Sequence, residues 1–311
     1  MSIYSYLIYF GPVFLLMIAA EYFIGRARGQ SLYTKGDTLA SISIAVVQRV
    51  ISMLPLSLVP LATLYAFENY RLFELEVTDW WYWPALFLAF EFAYYWYHRL
   101  SHEIRWLWAT HSVHHSIEEM NILAAYRFGW TGWLSMGSLI FLPLSLLGFS
   151  PVYVALMFAL NLMYQSWLHT NLIPKLGWVE GILNTPSAHR VHHAVNPKYL
   201  DRNHGGVLMI YDRLFGTYQP EDADEPCKYG LVKPVGSFNP IRIALHEWIN
   251  IFRDLRANPV RHWPGFLFGP PGWQPDGQGQ TAKVIRAQAQ SASAQVASKT
   301  SPVESLSLIH I

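Results

Sequence analysis

Apolar positions in this chain run in long unbroken stretches instead of alternating with polar ones. Residues 3–24 hold a single charge, Glu21, and an apolar run of ~20 residues is what spans the ~30 Å hydrocarbon core of a bilayer. No basic segment precedes this run, and no small-residue cleavage site separates it from the basic residues that follow. It reads as a retained helix, not a cleaved leader. Residues 39–67 form a second run, interrupted by Gln48 and Arg49; Arg49 fits at an interface, where its stem reaches toward water. Residues 81–97 form a third, with Glu91 its only charge. Residues 130–147 and 151–167 are two shorter arms joined through Gly148, Phe149, Ser150 and Pro151, which reads as a hairpin that spans the membrane or dips into it.

Loop charge orients these runs, because lysine and arginine are enriched on the cytoplasmic side. The first loop carries Arg26, Arg28 and Lys35, and so is cytoplasmic; the second, residues 68–79, sets one Arg71 against Glu68, Glu74, Glu76 and Asp79, and so is external. The third run then returns inward, and the hairpin goes out and comes back. Residues 98–128 and everything from His169 onward fall on the cytoplasmic side. Further along, Ile241, Leu245, Trp248, Ile249, Phe252 and Leu255 make a helical stripe opposite Arg242, Glu247, Arg253 and Asp254. That helix lies at the interface or packs on the core. Residues 276–311 are rich in Gln, Ala and Ser, the composition of a disordered tail. The expected fold class is all-α: a polytopic membrane protein of about four to five membrane helices, hairpin included, capped by a cytoplasmic helical His-rich domain. Its parts are N-terminal membrane helices (1–80), a His-rich region (81–221), an amphipathic helix with a Pro/Gly-rich segment (222–275) and the tail (276–311).

Composition agrees. The chain is 52% hydrophobic and 14% charged, against ~25% charged in soluble domains. A net charge of +1 gives no footprint for nucleic acid, and the single Cys227 excludes an intrachain disulfide or a Cys-based zinc or iron–sulfur site. Thirteen Trp suit membrane interfaces.

The histidines carry the chemistry. His98 and His102 follow the third run directly; His111, His114 and His115 come next; His189, His192 and His193 follow the hairpin. Residues spaced i, i+3 and i+4 share one face of a helix, so each set forms a clamp. Neutral imidazole ligates iron, zinc and copper. Eight imidazoles exceed the needs of one ion and suit two. A lone histidine is more often packed or hydrogen-bonded than a ligand, but three such sets beyond the ends of apolar runs are hard to place as core residues. His102-Glu103 and His246-Glu247 lack the second histidine of a zinc-protease helix, and no Glu-x-x-His pair occurs, so the carboxylate di-iron bundle is absent.

These motifs resemble the membrane-bound fatty acid hydroxylase and sterol desaturase superfamily. The stretch Tyr94-Tyr95-Trp96-Tyr97-His98-Arg99-Leu100-Ser101-His102-Glu103, the run His111 to Ser116, Asn184-Thr185-Pro186-Ser187 before His189, and Gly205-Gly206-Val207-Leu208 leading into Tyr211-Asp212-Arg213-Leu214-Phe215-Gly216-Thr217 are similar to its alkylglycerol monooxygenase branch. The resemblance implies a di-iron centre held by the eight motif histidines, with His169, at the end of the hairpin, as a ninth ligand; an interfacial histidine is the alternative reading there. It makes Glu103 an acidic residue at the catalytic site that orients a ligand histidine; a plain surface glutamate is the alternative. Two positions depart from the pattern: Ala188 stands where another histidine is usual, and His204 stands where an aromatic Tyr is usual, so neither counts as a ligand.

The implied reaction is O2-dependent oxidation, most simply hydroxylation, of an alkyl chain of a membrane lipid or sterol-like substrate. Desaturation begins with the same hydrogen abstraction and is the alternative outcome. Two iron ions, O2 and an external reductant are the implied cofactors. The reductant is a tetrahydropterin by resemblance to the branch, otherwise a ferredoxin or cytochrome with its reductase, since the chain has no nucleotide-binding fingerprint or haem domain of its own. A non-enzymatic membrane metal binder or transporter is the rival class; ligands beyond the ends of the runs, not within broken helices, disfavour a transporter.

Overall fold

The computed structural model describes residues 3–300, with side chains from residue 11 to residue 295. Thirteen α-helices follow one another among the described residues: α1 (Ile3–Ala27), α2 (Lys35–Ile51), α3 (Val59–Tyr70), α4 (Tyr82–Glu103), α5 (Arg105–His115), α6 (Gly132–Ser135), α7 (Leu142–Leu146), α8 (Pro151–Gln165), α9 (Pro186–His193), α10 (Ile210–Leu214), α11 (Pro240–Ala257), α12 (Trp263–Phe268) and α13 (Ala282–Thr300). β-pairing among these residues is confined to isolated bridges, so the chain is all-helical, as expected.

The apolar runs break more often than hydrophobicity alone predicts, and among the described residues no helix is long and apolar enough to cross a membrane. Residues 52–58 separate α2 from α3; Pro55 lies in this break, where a missing N–H and a ring clash oppose a continuous helix. The first arm of the expected hairpin is not a rod either. It is α6, a 3-10 turn over Gly137–Phe141, and α7, with Met136 between them in the left-handed region at φ 52°. Gly137 lies so close to the Tyr97 ring that a Cβ would come within 2.9 Å of it, so this arm folds down onto α4. The second arm, α8, has 15 residues, or ~22 Å of rise.

The tail differs as well. Residues 282–300 are helical, not disordered, because alanine and glutamine are strong helix formers and Arg286 ties the helix down: its guanidinium donates to the Leu200 carbonyl at 2.7 Å. Residues 301–311 of that expected tail lie outside the described residues.

The main core is built on α4. Tyr82, Leu86, Phe90, Ala93 and Tyr94 pack with Phe141, Leu144, Phe149 and Val154 from the folded-down arm and α8. The outward faces of α1 to α3 leave Leu15, Leu16, Phe23, Leu58 and Leu61 about two-thirds exposed. Buried acids pin the segments together. Glu21 of α1 accepts from the Ile122 N–H at 2.7 Å and from the Tyr33 and Thr170 hydroxyls. Asp37 of α2 pairs with the fully buried Arg127. Glu91 of α4 accepts from the Asn161 amide at 2.6 Å and from the N–H groups of Val207 and Leu208 at 2.8 Å each.

α11 packs one face inward, burying Ile243, Ala244 and Ile251, while Ile241, Ile249 and Phe252 stay exposed. Its acids hold α5: Arg105 donates to Glu247 and to Asp254, each at 2.6 Å. The helix is packed on the core and retains an exposed apolar edge.

Candidate metal centre

α4 does not stop where its apolar run ends. It continues to Glu103 and sets His98 and His102 one turn apart on its last two turns. A single extended residue, Ile104 at φ −113° and ψ 117°, makes the corner into α5. The last turn and a half of α5 carries His111, His114 and His115. α9 is short but well started: the Thr185 hydroxyl caps the Ala188 N–H, and Pro186 fills the first helical turn, where its missing N–H costs nothing. It carries His189, His192 and His193. His169 follows the 3-10 turn after α8, and its Nδ1 donates to the Gln165 carbonyl at 3.0 Å.

These nine side chains converge and divide into two sets. His98, His102, His111, His115 and His192 bring one nitrogen each within 4.8 Å of one another, and so do His114, His169, His189 and His193. The sets touch: the His115 and His193 rings stack at 4.3 Å, and the His114 and His193 rings meet at 4.6 Å. Nine-residue convergence therefore holds, although the first hairpin arm is folded rather than straight.

The donor geometry suits metal. In the first set the Nε2 atoms of His98 and His111 are 3.1 Å apart, and those of His111 and His115 3.2 Å. In the second, His169 and His189 are separated by 2.9 Å, His189 and His193 by 3.1 Å, and His114 and His169 by 3.3 Å. Two nitrogens bound at about 2.1 Å to one ion and at right angles lie about 3.0 Å apart. His98 and His169 donate through Nδ1 to carbonyls, so their Nε2 atoms carry lone pairs. The Nε2 atoms of His111 and His189 each face two other ring nitrogens, and one N–H can satisfy only one of them, whereas a shared cation satisfies all. The Nε2 atoms of His102 and His192 are buried without a hydrogen-bond partner, and buried polar atoms left this way call for a ligand.

Burial pushes the His98 pKa down to about 3, with the neighbouring His102 ring lowering it further, and burial pushes His169 down to about 4. His111, His114, His115, His189, His192 and His193 are lowered in the same way. They are neutral at physiological pH, the state that ligates metal.

Glu103 falls elsewhere. Its carboxylate takes a 2.8 Å bond from Arg99 Nε, at the wall of the cavity that reaches His102. The carboxylate beside a ligand candidate is that of Asp201, 3.4 Å from His102 Nδ1, a residue the motifs did not single out. His204 lies in neither set, yet it is fully buried, with its ring centroid 5.1 Å from that of His102 and no well-formed hydrogen bond at either ring nitrogen. Its carbonyl accepts from His98 Nδ1 at 2.8 Å. The loop that holds it is fixed by Asp212, which accepts from the His204 and Gly205 N–H groups at 2.7 Å each. Gly206 then runs so close to α8 that a Cβ would lie 2.1 Å from Asn161 Nδ2. Glycine at 206 is what permits this close approach. Trp108 stands against the first set, 5.2 Å from the His102 ring.

A cavity of about 790 Å³ opens from solvent onto His102, His115, His192 and His193, walled by Trp108, α11 and the residues around Trp273 and Arg286.

Comparison with known proteins finds relatives over the same centre. Residues 83–217 match the fatty acid hydroxylase family, a span that includes all nine histidines. Over 276 residues the chain is 37% identical to the human alkylglycerol monooxygenase, covering 85% of this chain and 59% of that protein. It is 37% identical over 271 residues to its Xenopus tropicalis counterpart, covering 84% and 58%. Ornithine lipid hydroxylase OlsE of Rhizobium tropici is 34% identical over 143 residues, 44% of this chain and 43% of OlsE. The chain thus spans about three-fifths of the length of the alkylglycerol monooxygenases it matches. No solved structure matches it. The match to the fatty acid hydroxylase family thus falls on residues 83–217 of this chain.

Proposed function

We propose that the protein is an integral membrane monooxygenase that uses O2 to hydroxylate an alkyl chain of a membrane lipid at a centre of two iron ions. The observation that carries this reading is the division of nine clustered imidazoles, eight of them buried, into two touching sets. His98, His102, His111, His115 and His192 hold one ion, and His114, His169, His189 and His193 hold the other. Exposed apolar faces on α1 to α3 support residence in a membrane, and loop charge supports a cytoplasmic location for the histidines. The relatives named as alkylglycerol monooxygenases and as an ornithine lipid hydroxylase support a lipid substrate.

Iron held by imidazole, with open positions for oxygen, supplies the oxidising power that an unactivated C–H bond demands. The chain's own residues do the rest. The Gln165, Arg202 and His204 carbonyls hold Nδ1 of His169, His192 and His98 and so leave Nε2 free toward the ions. The ring of Phe128 stacks on His114 at 6.0 Å, and Tyr94 packs at 5.6 Å from His98; these apolar walls keep water from the rings. Hydroxylation consumes two electrons and two protons beyond the substrate hydrogen, releasing one water per alcohol. A reduced tetrahydropterin is the donor we favour, and a ferredoxin or cytochrome with its reductase is the other. The cavity beside His102 and His115 would give such a donor a route to the first set.

Lipid mass spectrometry of cells with and without the gene tests the reaction. A lipid that gains one oxygen atom only when the gene is present supports hydroxylation. Loss of two hydrogens would assign a desaturase, and an unchanged lipid profile would overturn the enzymatic reading.

A further inference from the structure

The residues from Tyr199 to His204 back the first histidine set from behind, and they do so with three different groups. His98 Nδ1 donates to the His204 carbonyl at 2.8 Å. His192 Nδ1 donates to the Arg202 carbonyl at 3.0 Å. His102 Nδ1 faces the Asp201 carboxylate at 3.4 Å. The second set has no such backing: among its four rings only His169 has an Nδ1 partner, and Nδ1 of His114, His189 and His193 has none.

The backbone is bent to make this cradle. Asp201 and Asn203 both take left-handed conformations, at φ 50° and 59°, which Asp and Asn tolerate better than other non-glycine residues. Asn203 is fully buried. Its amide donates to the Ala188 carbonyl of α9 at 3.0 Å, and its oxygen accepts from the Gln219 N–H at 2.8 Å. The turn is thereby locked to the helix that carries His189, His192 and His193. Among the described residues, Asp201 is the one acid that faces a ring of either set.

Asp201 has a second partner, which comes from far along the chain. Arg286 of α13 lies 3.9 Å from its other oxygen and donates to the Leu200 carbonyl, one residue before it, at 2.7 Å. Asp201 and Arg286 are both about one-fifth exposed and line the cavity that reaches His102. α13 lies well beyond the family match, which ends at residue 217.

We propose that Asp201 is the positioning residue of the first histidine set and that α13, through Arg286, holds Asp201 in place. The inference rests on the two-iron reading above. A carboxylate on Nδ1 fixes the tautomer that presents Nε2, and it makes the imidazole a stronger donor. Arg286 anchors both the carboxylate and the carbonyl before it, so the orientation of His102 depends on a helix that makes no contact with the ions.

Asp201→Asn separates this role from a merely structural one, because Asn suits the left-handed backbone and keeps the shape while removing the charge. Iron retention against a competing chelator is measured on the full-length protein in detergent, together with the spectrum of the bound iron and the melting of the metal-free protein. Asp201→Asn should release iron from the first set about tenfold or more readily and shift the spectrum, with metal-free melting unchanged. Asp201→Glu should recover part of the loss. Arg286→Gln should act in the same direction to a smaller extent, and it remains informative if Asp201→Asn does not fold. Parental iron retention and spectrum in Asp201→Asn, or in Arg286→Gln if the former does not fold, would overturn the inference. So would losses matched by equal destabilisation of the metal-free protein. A parent that binds no iron would instead refute the two-iron reading itself.

Discussion

Glu91 is 1% exposed and serves three donors at once. One is on α8 and two are on the loop that follows His204, so Glu91 fixes the backbone that supports His98. Glu91→Ala removes the acceptor and leaves the Asn161 amide and the Val207 and Leu208 N–H groups without one. Each orphaned buried donor costs about 1–3 kcal/mol, and the bond that Asn161 retains, from Gln165, is accepted by its oxygen and does not satisfy its amide N–H, so the sum over the three falls at about 3–9 kcal/mol. At about 2 °C per kcal/mol for a chain of this size, apparent melting in detergent should fall on the order of 6–18 °C. Glu91→Gln sharpens the test. Its amide oxygen can still accept from both N–H groups, and only the contact with Asn161 becomes donor against donor. The glutamine variant should therefore lose about a third of what alanine loses. Thermal melting followed by fluorescence, with iron content measured on the same samples, reads both effects. An alanine variant that melts with the parent, or a glutamine variant as damaged as alanine, would refute the reasoning.

Other expectations follow from particular contacts. Arg105→Met leaves Glu247 and Asp254 unpaired at the α5–α11 contact; with Asp254 one-third exposed, a loss of about 2–3 kcal/mol is expected, and protease should cut around α11 sooner than in the parent. The metal-free protein should lose stability as pH falls from about 6.5 toward 4. The unfolded chain then takes up protons at imidazoles whose folded pKa is depressed, as at His98, down to about 3. A stability profile flat across that window would contradict their burial as neutral rings. A reporter inserted after Pro220 should score as cytoplasmic, and an external score would reverse the topology read from loop charge.

The site was more legible in the sequence than the fold around it. Spacing of i, i+3 and i+4 is local, so the three histidine clamps could be read directly, as could the stripe that became α11. Partition of the nine rings into sets was not legible, because it mixes residues from different helices: His192 joins the α4 and α5 histidines, while His114 joins His169 and the rest of α9. The breaks in the apolar runs depend on Pro55 and on the contact of Gly137 with Tyr97, which hydrophobicity does not weigh. Glu103 stands beside His102 in sequence but points to Arg99, one turn back along the same helix. Asp201 reaches His102 across a turn that no spacing rule connects. The C-terminal helix was hidden by its composition: alanine and glutamine suit both a disordered segment and a helix, and Arg286, which anchors it, acts on residues more than eighty positions earlier.

The account stands on two ions per chain, one in each histidine set. Metal content of the purified protein, measured by mass spectrometry of the element after expression with ample iron, tests it most directly. The parent and the control His262→Ala, which lies in neither set, should each carry about two irons, and His102→Ala and His189→Ala should each lose metal from the set they belong to. A parent holding a single ion, or zinc in place of iron, or unchanged iron in both ligand variants, would contradict the account.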